Sequence, residues 1–369
     1  MLYSLEELFD LQMGKTPSRN VPNYWNTNDN KWISIGDLSQ SGKYIYETKE
    51  YLSDIAVAES GIKIIPANTV IMSFKLSIGK VAITKEDIYS NEAIMAFNDK
   101  QVIELLPEYI YYLFRQKDWS VGTNKAVMGK TLNKATLSQM KIDVCPVHTQ
   151  REIVTILNKV SEILDNLKEQ ITRCDKLIKS RFVEMFGNPI SNPMGWDKKP
   201  LANECDIVTG NTPSRKVPEY YGDYIEWIKS DNINTPNAVL TTAEEYLSEE
   251  GLKVGRSVDA GAILMTCIAG SIGCIGNVAI ANRTVSFNQQ INGIVPKKNN
   301  TWFMYVLFEL SKGGIQSTIN MALKGILSKG QLAEMEFIFP PVKLQNEFGE
   351  QPNPAIGTKF LSHDHPKIS

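Results

Sequence analysis

The chain has 369 residues, room for two domains of ordinary size, and its 43% apolar and 22% charged content is that of folded globular protein. A formal net charge of -2 lacks the strongly basic balance that marks phosphate-dominated nucleic-acid binding, so any base reading must come from a few local Lys and Arg on one face. Five scattered cysteines with no Cys-x-x-Cys pair indicate neither a disulfide framework nor a zinc site, and with no basic-then-apolar leader and no run near ~18 apolar residues the reading is a cytoplasmic protein without a membrane span.

In chain order, the first feature is Gly14-Lys-Thr-Pro-Ser-Arg-Asn-Val-Pro-Asn-Tyr24, a turn-rich segment followed by Trp25 and Trp32. Thr69 to Phe74 reads as a strand, Ser77-Ile78-Gly79 as a turn and Glu108 to Gln116 as a helix. From Thr149 to Phe186 there is no Gly or Pro, and apolar residues recur at Ile153, Ile156, Val160, Ile163, Leu167, Ile171, Cys174 and Ile178 in steps of three and four. That stripe predicts one long coiled-coil-type helix, opened by a capping box of Thr149 with Glu152 and stopped by Gly187 and Pro189. At ~1.5 Å per residue it extends on the order of 55 Å, so much of its seam needs another helix as partner. Residues 187–200, with Pro189, Pro193, Gly195 and Pro200, form a link.

Beyond the link the chain repeats itself. Gly210-Asn-Thr-Pro-Ser-Arg-Lys-Val-Pro-Glu-Tyr220 answers to Gly14–Tyr24, Trp227 to Trp32, Tyr246-Leu-Ser to Tyr51-Leu-Ser, Ser271-Ile-Gly273 to Ser77-Ile-Gly79, Val278-Ala-Ile to Val81-Ala-Ile, and Asn288 to Asn91. The offset stays between 193 and 197, and its drifts fall where loops absorb insertions. Ala262 to Cys267 reads as a strand and Thr301 to Leu310 as a helix, matching the first copy. The class is α+β: a first copy over 1–148, a long spacer helix over 149–187, a second copy over 188–343, and a remainder, 344–369. At the start of that remainder Lys343–Phe348, which straddles its boundary, reads as the start of a second long helix, but Pro352, Pro354 and Pro366 do not continue it, which predicts a truncated spacer helix and an irregular tail.

Duplication is an internal control for chemistry, because a motif present in one copy only is a poor candidate for a shared function. Gly270, Gly273 and Gly276 lack phosphate-cradle spacing, and only one glycine recurs near Gly79. Asn188-Pro189-Ile190 and Phe339-Pro340-Pro341 are fragments of the Asn-Pro-Pro-aromatic motif of amino-methyltransferases, and no Pro-Asp dipeptide of a restriction-type nuclease occurs. His148, His363 and His365 form no repeated pair, and no general base, metal site or cofactor site stands out. What both copies share is a hydroxyl, free backbone donors and a guanidinium in one turn: Ser18 with Arg19, and Ser214 with Arg215, a combination suited to gripping a phosphate. Trp32 and Trp227 read as core. Lys75, Ser77, Asn91 and Lys130 in the first copy, and Ser271, Gln289, Gln290 and Lys324 in the second, are the other candidates for contacting DNA, since Asn and Gln pair with adenine and Lys and Arg with guanine.

Taken together, these residues resemble the specificity subunit of type I restriction-modification systems. The resemblance rests on the Gly-x-Thr-Pro-Ser openings, the Ser-x-Gly turns, Asn288-Gln289-Gln290 with the weaker Asn91-Glu92, and the helix entries Pro146-Val-His-Thr-Gln150 and Pro340-Pro-Val-Lys-Leu-Gln345. It covers residues 1 to about 348. It implies two target recognition domains that read a bipartite site on double-stranded DNA, a non-catalytic chain, and docking of methyltransferase and restriction/translocase subunits that hold S-adenosylmethionine, ATP and magnesium. The open seam of Ile153, Ile156, Val160, Ile163, Leu167, Ile171 and Ile178 implies coverage by a subunit or by a second copy of this chain. Two other readings are a self-contained DNA methyltransferase or nuclease, and a truncated protein-binding scaffold.

Overall fold

The computed structural model describes residues 1–25, 27–75, 77–119, 124–126, 129–319 and 325–350. The chain divides into two compact units between Asp165 and Asn166, inside one continuous helix.

In the first unit, β1 (Phe9–Met13), β2 (Val70–Ser73), β3 (Val81–Thr84) and β4 (Ile94–Asp99) form a sheet in the order β1-β4-β2-β3, with Tyr44–Ile45 added parallel at the β3 edge. β2 and β3 are buried at every position, which is why the run Val-Ile-Met-Ser shows no alternation. A smaller sheet pairs Asn30–Ile33 with Glu50–Leu52 and Tyr89–Ser90. Helix α1 (Pro107–Gln116) starts on a proline, whose missing N–H costs nothing at that position, and buries Tyr109, Ile110, Tyr111 and Phe114 against the main sheet. Leu2–Ser4 pairs with Lys141–Asp143, so the two ends of this module lie side by side.

Helix α2 runs from Val147 to Phe186, 40 residues. It begins two residues before the predicted start, so Thr149 lies inside the first turn and is not its cap. Gly187, at φ 75 and with its N–H on the Val183 carbonyl, ends the helix as predicted. The apolar stripe does three different jobs. Ile153 and Val154 pack on the first module's core, and Ile178, Phe182 and Phe186 are buried in the second's. Only the middle, Ile156, Val160, Ile163, Leu167 and Ile171, is exposed, at 46–63%. The expectation of a seam open from Ile153 to Ile178 is therefore corrected at both ends: those side chains anchor the helix to the module beside it.

The second unit repeats the first. β5 (Cys205–Thr209), β6 (Ile263–Thr266), β7 (Val278–Ile280) and β8 (Ile291–Pro296) are ordered β5-β8-β6-β7, and Lys198–Pro200 pairs with Glu336–Ile338 to close the module. Helix α3 (Thr301–Ser317) runs past the predicted end at Leu310, through Gly313 and Gly314. Burial of Ile315 and two hydrogen bonds from Gln316 offset the ~1 kcal/mol each glycine costs inside a helix. Helix α4 (Val342–Glu350) stands where α2 begins in the first copy. The remainder of the predicted tail, 351–369 with His363 and His365, lies outside the described residues. Among the described residues no helix is long and apolar enough to cross a membrane.

Candidate nucleic-acid interface

Strand register brings the repeated segments to one end of each main sheet. Met13 pairs with Met95 and Ser73 with Ile94, so the loop after β1, the β2–β3 turn and the Asn91 turn before β4 leave the first sheet at the same edge. In the second module Thr209 pairs with Asn292 and Thr266 with Ile291, and the corresponding loops gather likewise. Leu132 and Leu327 donate their N–H groups to the carbonyls of Phe74 and Cys267, at 3.1 and 2.8 Å, which ties the chain after residues 120–131 and 320–326 to the same end.

The opening glycine of each motif is dictated by a close approach. A Cβ on Gly14 would lie 2.2 Å from the Asn91 carbonyl oxygen, and one on Gly210 2.0 Å from that of Asn288. Both are backbone atoms that cannot swing away, so only glycine lets the loop lie against the Asn turn. The next residues, Lys15 and Asn211, then donate to the carbonyls of Ser90 and Phe287.

Arg19 and Arg215 hold equivalent places and neither reaches outward alone. The Arg19 guanidinium lies 3.7 Å from the Trp25 ring centre and 5.0 Å from that of Trp32, and forms a forked ion pair with Glu50. Arg215 lies 4.2 Å from Tyr221 and 5.3 Å from Trp227 and pairs with Glu245, which Lys229 also meets. The bonded Glu50 carboxylate raises the Arg19 pKa above its ordinary value, and Lys229 followed by Arg215 holds Glu245 below the usual carboxylate range. Trp32 and Trp227 are buried, as expected, and their indole N–H groups hold the motif carbonyls of Lys15 and Asn211. In the Ser-Arg turn read as suited to gripping a phosphate, the guanidinium is thus already ion-paired: each arginine is partly neutralised and braces the loop that carries Ser18 or Ser214, both exposed.

The remaining candidates separate into fixed and open groups. Asn91 and Asn288 spend their side-chain oxygens on the N–H groups of Ala93 and Gln290, making the same local turn in both copies. Gln290 is drawn into that turn by Asn288, whereas Gln289 is exposed. Lys75 rests over the Phe74 ring with its ammonium 3.9 Å from the Met13 sulfur, near Glu92, whose pKa is lowered first by a hydrogen bond from Thr16. Ser77 and Ser271 are both exposed, but they are not equivalent: hydrogen bonding of the turns matches Gly79 with Gly276, not with Gly273. Lys130 lies in the strand Gly129–Thr131 with its side chain outside the described residues, and Lys324 falls outside them altogether.

The roles of several residues, some of them already matched between the copies, were not read from the sequence. Glu50 and Glu245 precede Tyr51-Leu-Ser and Tyr246-Leu-Ser at the repeat offset, so the signal was a shared acidic residue waiting for a partner. Ser53 and Ser248 cap the helices that follow, with their hydroxyls accepting from Ala56 and Gly251. Gln150 and Gln345 are fully buried. Gln150 donates to the carbonyls of Glu104 and Cys145 and accepts from the Leu106 N–H; Gln345 donates to Asn299 and the Pro340 carbonyl and accepts from the Asn300 N–H. Each locks the start of α2 or α4 to the start of α1 or α3. Among the described residues no group of His, Cys, Asp and Glu is placed to hold a metal ion.

Known proteins resemble this chain in sequence and in fold. The chain is 27% identical over 234 residues to the type I restriction enzyme MjaIX specificity subunit of Methanocaldococcus jannaschii, covering 58% of this chain and 53% of that protein, so it spans about half the length of that relative. It is 24% identical over 302 residues to a putative MjaX specificity subunit of the same organism, 74% of this chain and 67% of the other. In fold it is similar to the crystal structure of a type I restriction-modification S subunit from M. genitalium, with a TM-score of 0.57 at 13% identity, over 98% of this chain and 90% of that one. The family model of the type I restriction modification DNA specificity domain matches residues 1–173 and again 193–350. With both copies matched, the chain belongs to the type I restriction modification DNA specificity domain family.

Proposed function

We propose that this chain is the DNA-recognition subunit of a type I restriction-modification complex, each module reading one half of a split site on double-stranded DNA. The observation that carries this reading is that both copies gather the same loops at the same end of the same sheet, on a scaffold whose repeated residues are committed to holding those loops. The exposed loop residues Ser18, Ser77, Ser214, Ser271 and Gln289, with the half-exposed Lys75, are the proposed base and phosphate contacts. The chain supplies no catalysis. Methylation and cleavage fall to methyltransferase and restriction/translocase subunits, which bind S-adenosylmethionine, ATP and magnesium. The exposed middle of α2 is the proposed docking face for a methyltransferase subunit, and pairs with a second copy when none is present.

The test is the methylome of cells that express this chain with its methyltransferase subunits. A motif of two specified blocks separated by unspecified bases is expected. An unchanged methylome, or a single continuous motif, would overturn the reading.

A further inference from the structure

The β6–β7 turn of the second module is longer than its counterpart. The offset between copies rises from 193 at Ser73 and Thr266 to 197 at Gly79 and Gly276, so four residues are inserted within this turn. The enlarged turn carries a small 3-10 turn, Ile272–Cys274, at its tip. By the same hydrogen-bond equivalence Ile78, which packs against the first module's core, answers to the buried Ile275, so Ile272 belongs to the inserted stretch. Ile272 is 37% exposed, between Ser271 and Gly273, which are exposed as well.

Although its side chain is exposed, the tip is held at several points. Gln316 on α3 donates to the carbonyls of Ile272 and Ile275 at 2.8 and 2.9 Å, Ile275 is fully buried, and Lys312 holds Asn277. At the other end Cys267 and Ile268 both donate to the Gln290 carbonyl, joining the tip to the Asn-Gln turn. A β-branched side chain on a fixed backbone has little rotamer freedom to lose on contact. It offers no hydrogen bond, and the one apolar feature that distinguishes a base edge in the major groove is the 5-methyl group of thymine.

We propose that Ile272 reads a thymine in the half-site of the second module, by packing against that 5-methyl group. The inference rests on the DNA-recognition reading above and adds a residue and a base to it. Among the described residues of the shorter turn in the first module no exposed apolar side chain takes the place of Ile272.

The test uses the full chain with its methyltransferase subunits and duplexes carrying the motif, in which each thymine is replaced singly by deoxyuridine. This removes the methyl group and leaves pairing intact. One replacement in the second module's half-site is expected to weaken binding roughly fourfold, the worth of one buried methyl-sized group. Ile272→Ala should weaken binding to the thymine duplex by a similar factor, lose sensitivity to that replacement, and leave replacements in the other half-site unaffected. Because Ile272 is exposed, an unchanged melting temperature shows that the variant is folded. If no replacement in that half-site matters, or if Ile272→Ala keeps the same sensitivity, the inference is overturned; minor-groove insertion would give the first of these results. If the unsubstituted assembly shows no sequence-selective binding at all, the DNA-recognition reading itself is overturned.

Discussion

Replacing Gln345 with Ala should destabilise the second module selectively. The side chain is fully buried and makes three hydrogen bonds, two as donor and one as acceptor. Each such bond contributes about 1 kcal/mol net, and stranding the buried Pro340 carbonyl and Asn300 N–H costs more, so a loss of about 3–4 kcal/mol is expected. The lost contacts join the start of α4 to the N-cap of α3, where Asn300 itself accepts from Trp302 and Phe303. Hydrogen-exchange mass spectrometry is the appropriate assay because it assigns the loss to a place: amides near residues 300–306 and 342–348 should exchange faster, while those near 106–112 and 147–153 keep their protection. Gln150→Ala supplies the mirror image. Gln345→Glu should be no milder, since it removes both donors and faces a carboxylate with the Pro340 carbonyl. A loss below about 1 kcal/mol, or loss of protection spread evenly over both modules, would refute the claim that each glutamine locks its own module.

Two further outcomes follow from burial and exposure. Burial raises the thiol pKa values of Cys205 and Cys267 to about 12, above the unfolded value of about 8.5. Their contribution to stability is therefore complete below about pH 8.5 and is lost as pH rises towards 12; the denaturation midpoint should fall over that window, less steeply in a Cys205→Ala, Cys267→Ala variant, and an identical slope in the two proteins would refute the assignment. Sedimentation of the purified chain without partners should give a dimer, and Ile163→Glu with Leu167→Glu should give a monomer; a monomer before substitution refutes pairing through α2.

Much of the architecture was legible in the sequence because duplication writes the main strands and the loops between them twice. The strands around Ile71 and Leu264 and the long helix followed from periodicity and length. What could not be read was partnership. Ile153, Val160 and Ile178 look identical in a heptad, yet one rests on the first core, one is exposed and one is buried in the second, because that choice is made by residues distant in sequence. The partner of Arg19 was unreadable for the same reason: Glu50 stands thirty-one residues away. The Ser-Ile-Gly match misled because an insertion within the turn shifted the hydrogen-bonded equivalence from Gly273 to Gly276 while leaving a chance likeness behind. The repeated residues turn out to be mostly scaffold, so the specificity of each copy is expected in the loop positions where the copies differ.

The pairing of Leu2–Ser4 with Lys141–Asp143, and of Lys198–Pro200 with Glu336–Ile338, means that each module is entered and left through neighbouring strands. A domain with adjacent doors behaves as a cassette. It can be exchanged as one piece at a single seam, without rethreading the rest of the polypeptide, and each copy is free to drift towards a new preference while the other stays fixed.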